Sequence, residues 1–219
     1  MVASRRPYGR YLPQYPSLDA AHRMLDACTN ERDRMLIALL LHTGGRVSEV
    51  LDIRVGDITK RGVRMVNLKQ GQYQAIETTG ENGERIHRRV HVPVREEKHV
   101  FLNPAFLAEL RTYAAHLPPG APLVGRLRDG RPMGRKNAWK RIKAIGARAG
   151  VTIRRFSTGE ETTPWCHSFR HLSAVTQLEQ GVSLNAVQQQ LGHKSLASTA
   201  IYLRLADPDR EKQVRRVRF

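Results

Sequence analysis

The sequence predicts a mainly α-helical domain with a small three-stranded antiparallel β-sheet. Apolar residues recur at helical spacing before and after the region 62–94, and most of these segments begin at a capping residue and end at a glycine. Between Gly62 and Val94 the pattern changes to an alternation that is typical of strands. Because 40% of the 219 residues are hydrophobic, the chain can bury a core.

The charge and composition of the chain indicate which kinds of molecule it can bind and where it is expected to act. The chain has 37 lysines and arginines against 20 acidic residues, a net charge of +17, so its field attracts polyanions such as nucleic acid or an acidic membrane surface. It has no apolar run long enough to span a membrane, and the basic N-terminus lacks the apolar segment of a secretory signal. We therefore expect a cytoplasmic protein. Cys28 and Cys166 lack metal-site spacing and are expected to be buried thiols.

The N-terminal part is predicted to be an arm followed by helices. Residues 1–16 form an irregular basic arm, either lying on DNA or disordered. Polar caps open the first two of three helices, and Gly44 and Gly45 end the second. The three predicted helices are Ser17 to Cys28, Asn30 to His42 and Val47 to Leu51.

Strands are predicted in the middle of the chain. The alternating segments are Val63 to Leu68, Tyr73 to Thr78 and Ile86 to Val94. Turn-forming residues fill 80–83. A small antiparallel sheet of three strands fits this pattern.

Five further helices are predicted after the strands. Asn103 and Pro104 supply a cap and a first-turn proline for a helix that ends before Pro118. The tail at 206–219 carries basic residues with valines between them, which predicts a short amphipathic helix that can dock on a neighbouring subunit. The other three helices are predicted from Arg135 to Arg148, from Thr163 to Gly181 and from Ser183 to Leu191.

The helix at 135–148 has an apolar and a basic side. Trp139, Ile142 and Ile145 share the apolar side. The basic side suits the phosphate backbone of DNA. The predicted DNA-binding side chains are Lys136, Lys140, Arg141, Lys143 and Arg148.

Two motifs contain arginines suited to phosphate binding. Arg46 follows the glycines that end an apolar helix, and Glu49, three residues later, can hold its guanidinium. His167 and Arg170 are also three residues apart, so they share one face of a helix. Phe169 indicates that this helix is largely buried, where an arginine needs an anionic partner such as a phosphate.

A third motif, from Leu191 to Tyr202, contains a candidate nucleophile. Gly192 interrupts the helical pattern and Ser195 can cap a new short helix. This stretch therefore brings His193 and Tyr202 to one place.

The order and spacing of the candidate residues resemble the tyrosine recombinase (phage integrase) family, and the Leu-Gly-His sequence before the tyrosine is typical of it. The resemblance covers about Pro16 to Leu205 and implies a catalytic domain at 17–205 with the DNA breaking-rejoining fold of that family. The residues that carry the resemblance are Arg46, His167, Arg170, His193 and Tyr202.

The resemblance implies cleavage of double-stranded DNA without a metal, a cofactor or ATP. Tyr202 would attack phosphorus to form a 3′-phosphotyrosine, which stores the bond energy for rejoining. Arg46 and Arg170 would present guanidinium groups to the non-bridging oxygens. His193 would donate a hydrogen bond to the phosphate, and Glu49 would orient nearby groups.

The resemblance also implies two proton-transfer residues. His167 would take the proton of the tyrosine, since an unperturbed tyrosine is protonated at neutral pH. Lys69, which follows the first predicted strand, would protonate the departing 5′-oxygen. Lys60 and Arg85 are alternatives for this role, and Lys69 can also be a solvated lysine at the end of a strand.

Other histidines have simpler interpretations. His167 and His171 are four residues apart, as metal ligands can be, but Ser168 stands where an HExxH metal site has its glutamate. We therefore expect no metal. His42 and His171 are interpreted as residues of helix faces and not as catalysts.

Site-specific recombination by a homotetramer on two duplexes is the outcome that the resemblance implies, with accessory DNA-bending proteins as further partners. A type IB topoisomerase-like activity and a non-catalytic DNA-binding architectural protein are the alternatives. Many family members carry a helical core-binding domain before the catalytic region, whereas only residues 1–16 precede it here. The chain is thus expected to be a fragment or a short recombinase that resembles the fimbrial-switch invertases.

Overall fold

The structure, a computed structural model, describes residues 14–79, 85–155, 158–193 and 195–206. Within these ranges the chain is mainly helical, as predicted. The helices are α1 (Leu18–Asp26), α2 (Glu31–Thr43), α3 (Val47–Leu51), α4 (Pro104–Ala114), α5 (Arg135–Arg148), α6 (Cys166–Glu179), α7 (Leu184–Leu191), α8 (Ala197–Ala200) and α9 (Leu203–Ala206). The strands are β1 (Gly62–Thr79), β2 (Arg85–Phe101), β3 (Ile153–Arg154) and β4 (Glu161–Thr162).

Helix α2 is the centre of the main core. Its segment 35–41 is apolar on every side, so the helix can only be stable when it is surrounded. It contacts α1, α3, α5 and α6, and Leu36, Ile37, Leu39 and Leu40 are fully buried. This arrangement places the C-terminal end of α2 against Arg170 and Ser173 of α6.

Side-chain caps confirm three predicted helix starts. The hydroxyl of Ser17 accepts a hydrogen bond from the amide of Ala20, and the side chain of Asn30 accepts one from the amide of Asp33. Ser183 caps α7 in the same way. Each cap satisfies an amide that has no partner within its own helix.

The sheet differs from the prediction in its number of strands. β1 and β2 pair as a two-stranded antiparallel hairpin, and β3 and β4 form a separate short pair. The first two predicted strands are one continuous strand, because a bulge between Lys69 and Gln72 replaces the expected turn. A bulge shifts the alternation of side chains without ending the strand.

A second apolar cluster lies on the other side of α6. It joins Ala174 and Val175 of α6 to Val187 and Leu191 of α7. The short helices α8 and α9 close over this cluster. Among the described residues, no helix has the length and apolar composition that a membrane span requires.

The predicted division of the chain at residues 17 and 205 stays a prediction. The arm at 1–13 and the tail at 207–219 lie outside the described residues.

Candidate active site

Tyr202 lies buried between α8 and α9. Only 3% of the residue is exposed, and its ring belongs to the second apolar cluster. Its hydroxyl oxygen is 2.8 Å from Nδ1 of His171 on α6. The candidate nucleophile is therefore held inside the domain by a histidine that the sequence analysis assigned to a helix face.

His193 stands beside Tyr202 because α7 ends immediately before it. Gly192 takes the left-handed conformation (φ 69°) and turns the chain. The His193 and Tyr202 rings are nearly parallel, at 11°, with centroids 6.4 Å apart. Nδ1 of His193 is 2.8 Å from the hydroxyl of buried Thr199. A hydroxyl that donates to Nδ1 leaves the ring proton on Nε2, the tautomer that can donate to a phosphate oxygen.

Arg170 is buried beneath these rings, with 1% of the residue exposed. Its Nη1 donates to the carbonyl of Gly44 over 2.7 Å, and its Nη2 donates to the carbonyl of Leu191 over 2.9 Å. Both carbonyls lie at helix C-termini, where the helix dipole favours a cation. The predicted phosphate partner of Arg170 stays a prediction, and within the described residues two backbone carbonyls accept from its guanidinium. These two bonds use two of the five N–H groups of the guanidinium, so a phosphate would be bound by the others.

The close approach of α2 and α7 depends on Gly44. This residue has a φ of 59°, and an added Cβ would lie 2.6 Å from the side chain of Leu191. Any larger residue would strain the backbone at this φ and displace the end of the Leu191 side chain. The predicted helix-ending glycine therefore also shapes the Arg170 site.

Glu49 connects Arg46 to this buried centre. It is 1% exposed, and its carboxylate accepts from Nη1 of Arg46 over 2.7 Å and from the Arg46 amide over 3.1 Å. Nζ of Lys98 also donates to it, over 3.1 Å. Burial acts to raise the pKa of Glu49, but Lys98 and Arg46 outweigh burial and lower it. The predicted Arg46–Glu49 pair is present in the structure.

Lys98 is a site residue that the sequence analysis missed. Its Nζ lies 3.2 Å from the Leu191 carbonyl, the same oxygen that Arg170 binds. The side chain of Lys69, the predicted lysine, lies outside the described part of the chain, although its backbone pairs with Val94. Lys98 precedes the buried Val100 by two residues, so strand alternation could have placed it on the inward face.

A cleft of about 550 Å³ opens at the exposed side of Arg46. The Arg46 side chain is 44% exposed there, and His167 is also at the surface. Trp139 is 48% exposed, and the Lys143 ammonium lies 5.8 Å from its ring centroid. Aromatic and cationic groups are thus combined at the entrance. The lining residues include Arg46, Arg135, Lys136, Trp139, Trp165 and His167.

The predicted DNA-binding face of α5 divides into two parts. Nε of Arg141 donates to the Asp33 carboxylate over 2.8 Å. Lys143 binds Thr162 and the carbonyl of Thr163, and Arg148 binds the carbonyl of Ala27. These three basic residues make contacts within the protein, and their role in DNA binding stays a prediction. Lys136 and Lys140 are exposed.

Burial and positive charge keep the histidines of the site neutral. Burial, followed by neighbouring His167, Arg170 and His193, lowers the pKa of His171 to about 3. Burial, followed by Arg170 and other cations, lowers the pKa of His193 to about 4. Burial raises the pKa of Tyr202, with Arg170 opposing it. At neutral pH the His171–Tyr202 contact therefore joins a neutral imidazole to a neutral phenol.

His167 lies next to this contact and not in it. Its ring is at the cleft, and its centroid is 4.4 Å from that of His171, with the planes at 82°. The protein packed around part of the ring, followed by Arg170 and Arg46, lowers the pKa of His167 to about 4. The structure therefore brings His167, Arg170, His193 and Tyr202 together, and it joins Arg46 and Glu49 to them through Lys98.

Comparison of sequences identifies the family. The model of the Phage integrase family matches residues 16–208, so the chain belongs to that family. Tyrosine recombinase XerD of Corynebacterium glutamicum is 29% identical over 212 residues, and tyrosine recombinase XerA of Thermococcus kodakarensis is 29% identical over 203. These matches cover 93% and 90% of this chain but 61% and 60% of the relatives. The chain thus spans only part of their length.

Comparison of structures confirms the predicted fold class. The crystal structure of XerA recombinase superposes with a TM-score of 0.61 at 20% identity, covering 100% of this chain and 68% of that one. A lambda integrase dimer bound to a COC′ core site gives a TM-score of 0.60 at 19% identity, covering 91% of this chain and 50% of that one. At these identities the similarity shows a shared fold.

Proposed function

We propose that this protein is a site-specific DNA recombinase, which cuts and rejoins DNA in the cytoplasm through a 3′-phosphotyrosine on Tyr202. The observation that carries the proposal is the convergence of Tyr202, His193 and Arg170 at the end of α7. The chain is related to tyrosine recombinases, and the lambda integrase of similar fold is bound to DNA. Family, fold and local geometry therefore support the same reaction class.

Cleavage of a phosphodiester needs fixed positive charge, because the transition state concentrates negative charge on the non-bridging oxygens. Arg46 reaches the cleft from a carboxylate-anchored position, so its guanidinium can meet the phosphate with little reorganisation. His193 supplies an N–H donor from Nε2. Arg170 is the second proposed phosphate ligand, and it would use the N–H groups that do not bind the two backbone carbonyls. No metal is needed in this scheme.

The covalent intermediate makes the reaction reversible. Attack by Tyr202 forms an O–P bond as the P–O5′ bond breaks, so the energy of the phosphodiester is kept in the adduct and rejoining needs no ATP. Lys69 is the proposed donor of the proton for the 5′-oxygen. Glu49 and Lys98 are positioning residues, because they contact Arg46 and the Leu191 carbonyl.

Duplex DNA would enter over the cleft beside α5. Lys136 and Lys140 are the exposed lysines of the predicted face, and the half-exposed Trp139 lies on the same helix. We propose that the active assembly is a tetramer on two duplexes, with accessory DNA-bending proteins as further partners. The lambda integrase tetramer bound to a Holliday junction supports this assembly.

The alternatives receive no specific support. A topoisomerase-like enzyme would share the chemistry but relax supercoils, and an architectural protein would bind DNA without cutting it. The curated relatives are named as tyrosine recombinases.

A covalent trap tests the proposal. The protein is mixed, without added metal, with nicked duplexes from its own genetic neighbourhood in which the released strand is too short to stay paired, and is then denatured in detergent. Wild-type protein should retain DNA, and Tyr202→Phe should retain none. Tyr113→Phe is the matched control, because its hydroxyl binds the carbonyl of Leu123 away from the site. The proposal would be refuted if Tyr202→Phe retained DNA. It would also be refuted if wild-type protein retained none.

A further inference from the structure

We propose that His171 positions the Tyr202 hydroxyl and accepts its proton when the tyrosine attacks DNA. The inference rests on the proposed strand-cleavage function. It gives His171 the role that the family resemblance implies for His167. The geometry around the hydroxyl carries the argument.

Among the residues that the structure describes, His171 is the side chain whose hydrogen bond to the nucleophilic oxygen is seen. Its Nδ1 lies 2.8 Å from the Tyr202 hydroxyl, within normal hydrogen-bond range. Nδ1 of His193 is engaged by Thr199, and the His167 ring lies at the cleft, where it can meet a phosphate. Of the three histidines, His171 is thus the one placed to receive the phenolic proton.

The contact is held on both sides by packed structure. His171 follows Arg170, whose guanidinium is tied to two helix ends, so this turn of α6 is fixed. Tyr202 is almost wholly buried against α6 and α7. A fixed, sheltered acceptor orients the hydroxyl and excludes water as a competing base.

The proton transfer balances in both directions. In cleavage, the Tyr202 oxygen bonds to phosphorus, its proton moves to Nδ1 of His171, and the 5′-oxygen leaves with a proton from Lys69, the proposed acid. In rejoining, the 5′-hydroxyl attacks phosphorus and gives its proton to that acid. The phenolate then leaves and recovers its proton from His171.

The surroundings of His171 make proton acceptance depend on DNA. Arg170 and His167 on α6, His193 after α7 and Tyr202 before α9 face the ring. Burial, followed by His167, Arg170 and His193, lowers the pKa of His171 to about 3, so the imidazole is a neutral acceptor at rest. A bound phosphate would add the negative charge that stabilises the imidazolium.

The pH dependence of single-turnover cleavage tests the role. The experiment compares wild type, His171→Asn and His167→Asn on the nicked duplexes between pH 6 and 9. Asparagine keeps a polar atom near the place of Nδ1 but takes up no proton. We expect His171→Asn to cleave about 100-fold more slowly than wild type at pH 7 and to gain about tenfold per pH unit as the tyrosine ionises. The cleavage rate of His167→Asn should change with pH in the same way as that of wild type. The proposal would be overturned if the rate of His167→Asn rose tenfold per pH unit while the profile of His171→Asn followed that of wild type.

A chemical rescue separates proton transfer from structural damage. Fluorinated tyrosine at position 202 has a lower pKa and needs a weaker base. It should restore most of the rate in His171→Asn and change little in His167→Asn. Equal effects in the two variants would contradict the assignment.

The contact itself can be measured without DNA. In protein with ¹⁵N-labelled histidine, the Nδ1 signal of His171 should shift in Tyr202→Phe and stay in place in Tyr113→Phe. An unchanged signal in Tyr202→Phe would overturn the positioning role whatever the cleavage assay shows. A wild-type protein that leaves no adduct would instead refute the proposed function, and the proton-transfer step with it.

Discussion

The buried inner part of the site and its exposed mouth use positive charge in different ways. In the inner part, Arg170 and Lys98 share the Leu191 carbonyl, and Lys98 also binds Glu49. At the mouth, Arg46 and Lys136 line an open cleft. The cations of the inner part hold the ends of two helices and Glu49 together. The cations at the mouth face the space where a phosphate would enter. Residue type alone therefore does not tell which arginine binds backbone carbonyls and which lines the cleft.

The largest predicted difference is between the two arginines. Arg170→Ala leaves the Gly44 and Leu191 carbonyls without their donors and opens a cavity, so it should lower the free energy of unfolding by about 3 to 5 kcal/mol. Arg46→Ala should cost about 1 kcal/mol or less, because the side chain is partly exposed and Lys98 still binds Glu49. Urea denaturation measures both, and both should abolish adduct formation. If the two variants were destabilised equally, the distinction between the inner part and the mouth would not hold.

The histidines beside Tyr202 should make stability depend on pH. The pKa is lowered from 6.5 to about 3 in His171 and to about 4 in His193. Below pH 6.5 the unfolded chain binds protons that the folded chain excludes, so stability is complete above that pH and declines as the pH falls towards the folded values. From pH 7.5 to 5.5 each should cost about 1.4 kcal/mol. His171→Asn should lose about 1.4 kcal/mol less than wild type over this range. An identical decline in both proteins would show that His171 titrates normally.

The smallest predicted effects compare the two parts of α5. Lys136→Ala or Lys140→Ala should reduce the slope of DNA affinity against salt concentration by about 0.9 each, because each removes one phosphate contact. Arg141→Ala should leave the slope unchanged and lower stability, since its partner is Asp33. Salt titrations followed by fluorescence anisotropy measure the slopes. A reduced slope in Arg141→Ala would extend the DNA-binding face along the whole helix.

Local signals account for the parts of the molecule that the sequence predicted well. Ser17 and Asn30 cap their helices through contacts a few residues away, so their chemistry is visible in the sequence. The Arg46–Glu49 pair spans three residues and was predicted for the same reason.

Contacts between distant segments were not predictable in this way. Lys98 meets Glu49 and Leu191 only because β2 passes beside α3 and α7, and Arg141 meets Asp33 across the core. His171 resembled an ordinary helix-face residue because its partner Tyr202 lies 31 residues later. The two-stranded hairpin was missed because a bulge has the same local pattern as a turn.

The identity of the DNA-linked residue tests the central claim most directly. The trapped adduct is digested with protease and nuclease, and the peptide that carries nucleotide is sequenced by mass spectrometry. The account predicts a nucleotide joined through its 3′-phosphate to Tyr202, with a 5′-hydroxyl on the released strand. A nucleotide on any other residue, or a 5′-phosphate on the released strand, would contradict it.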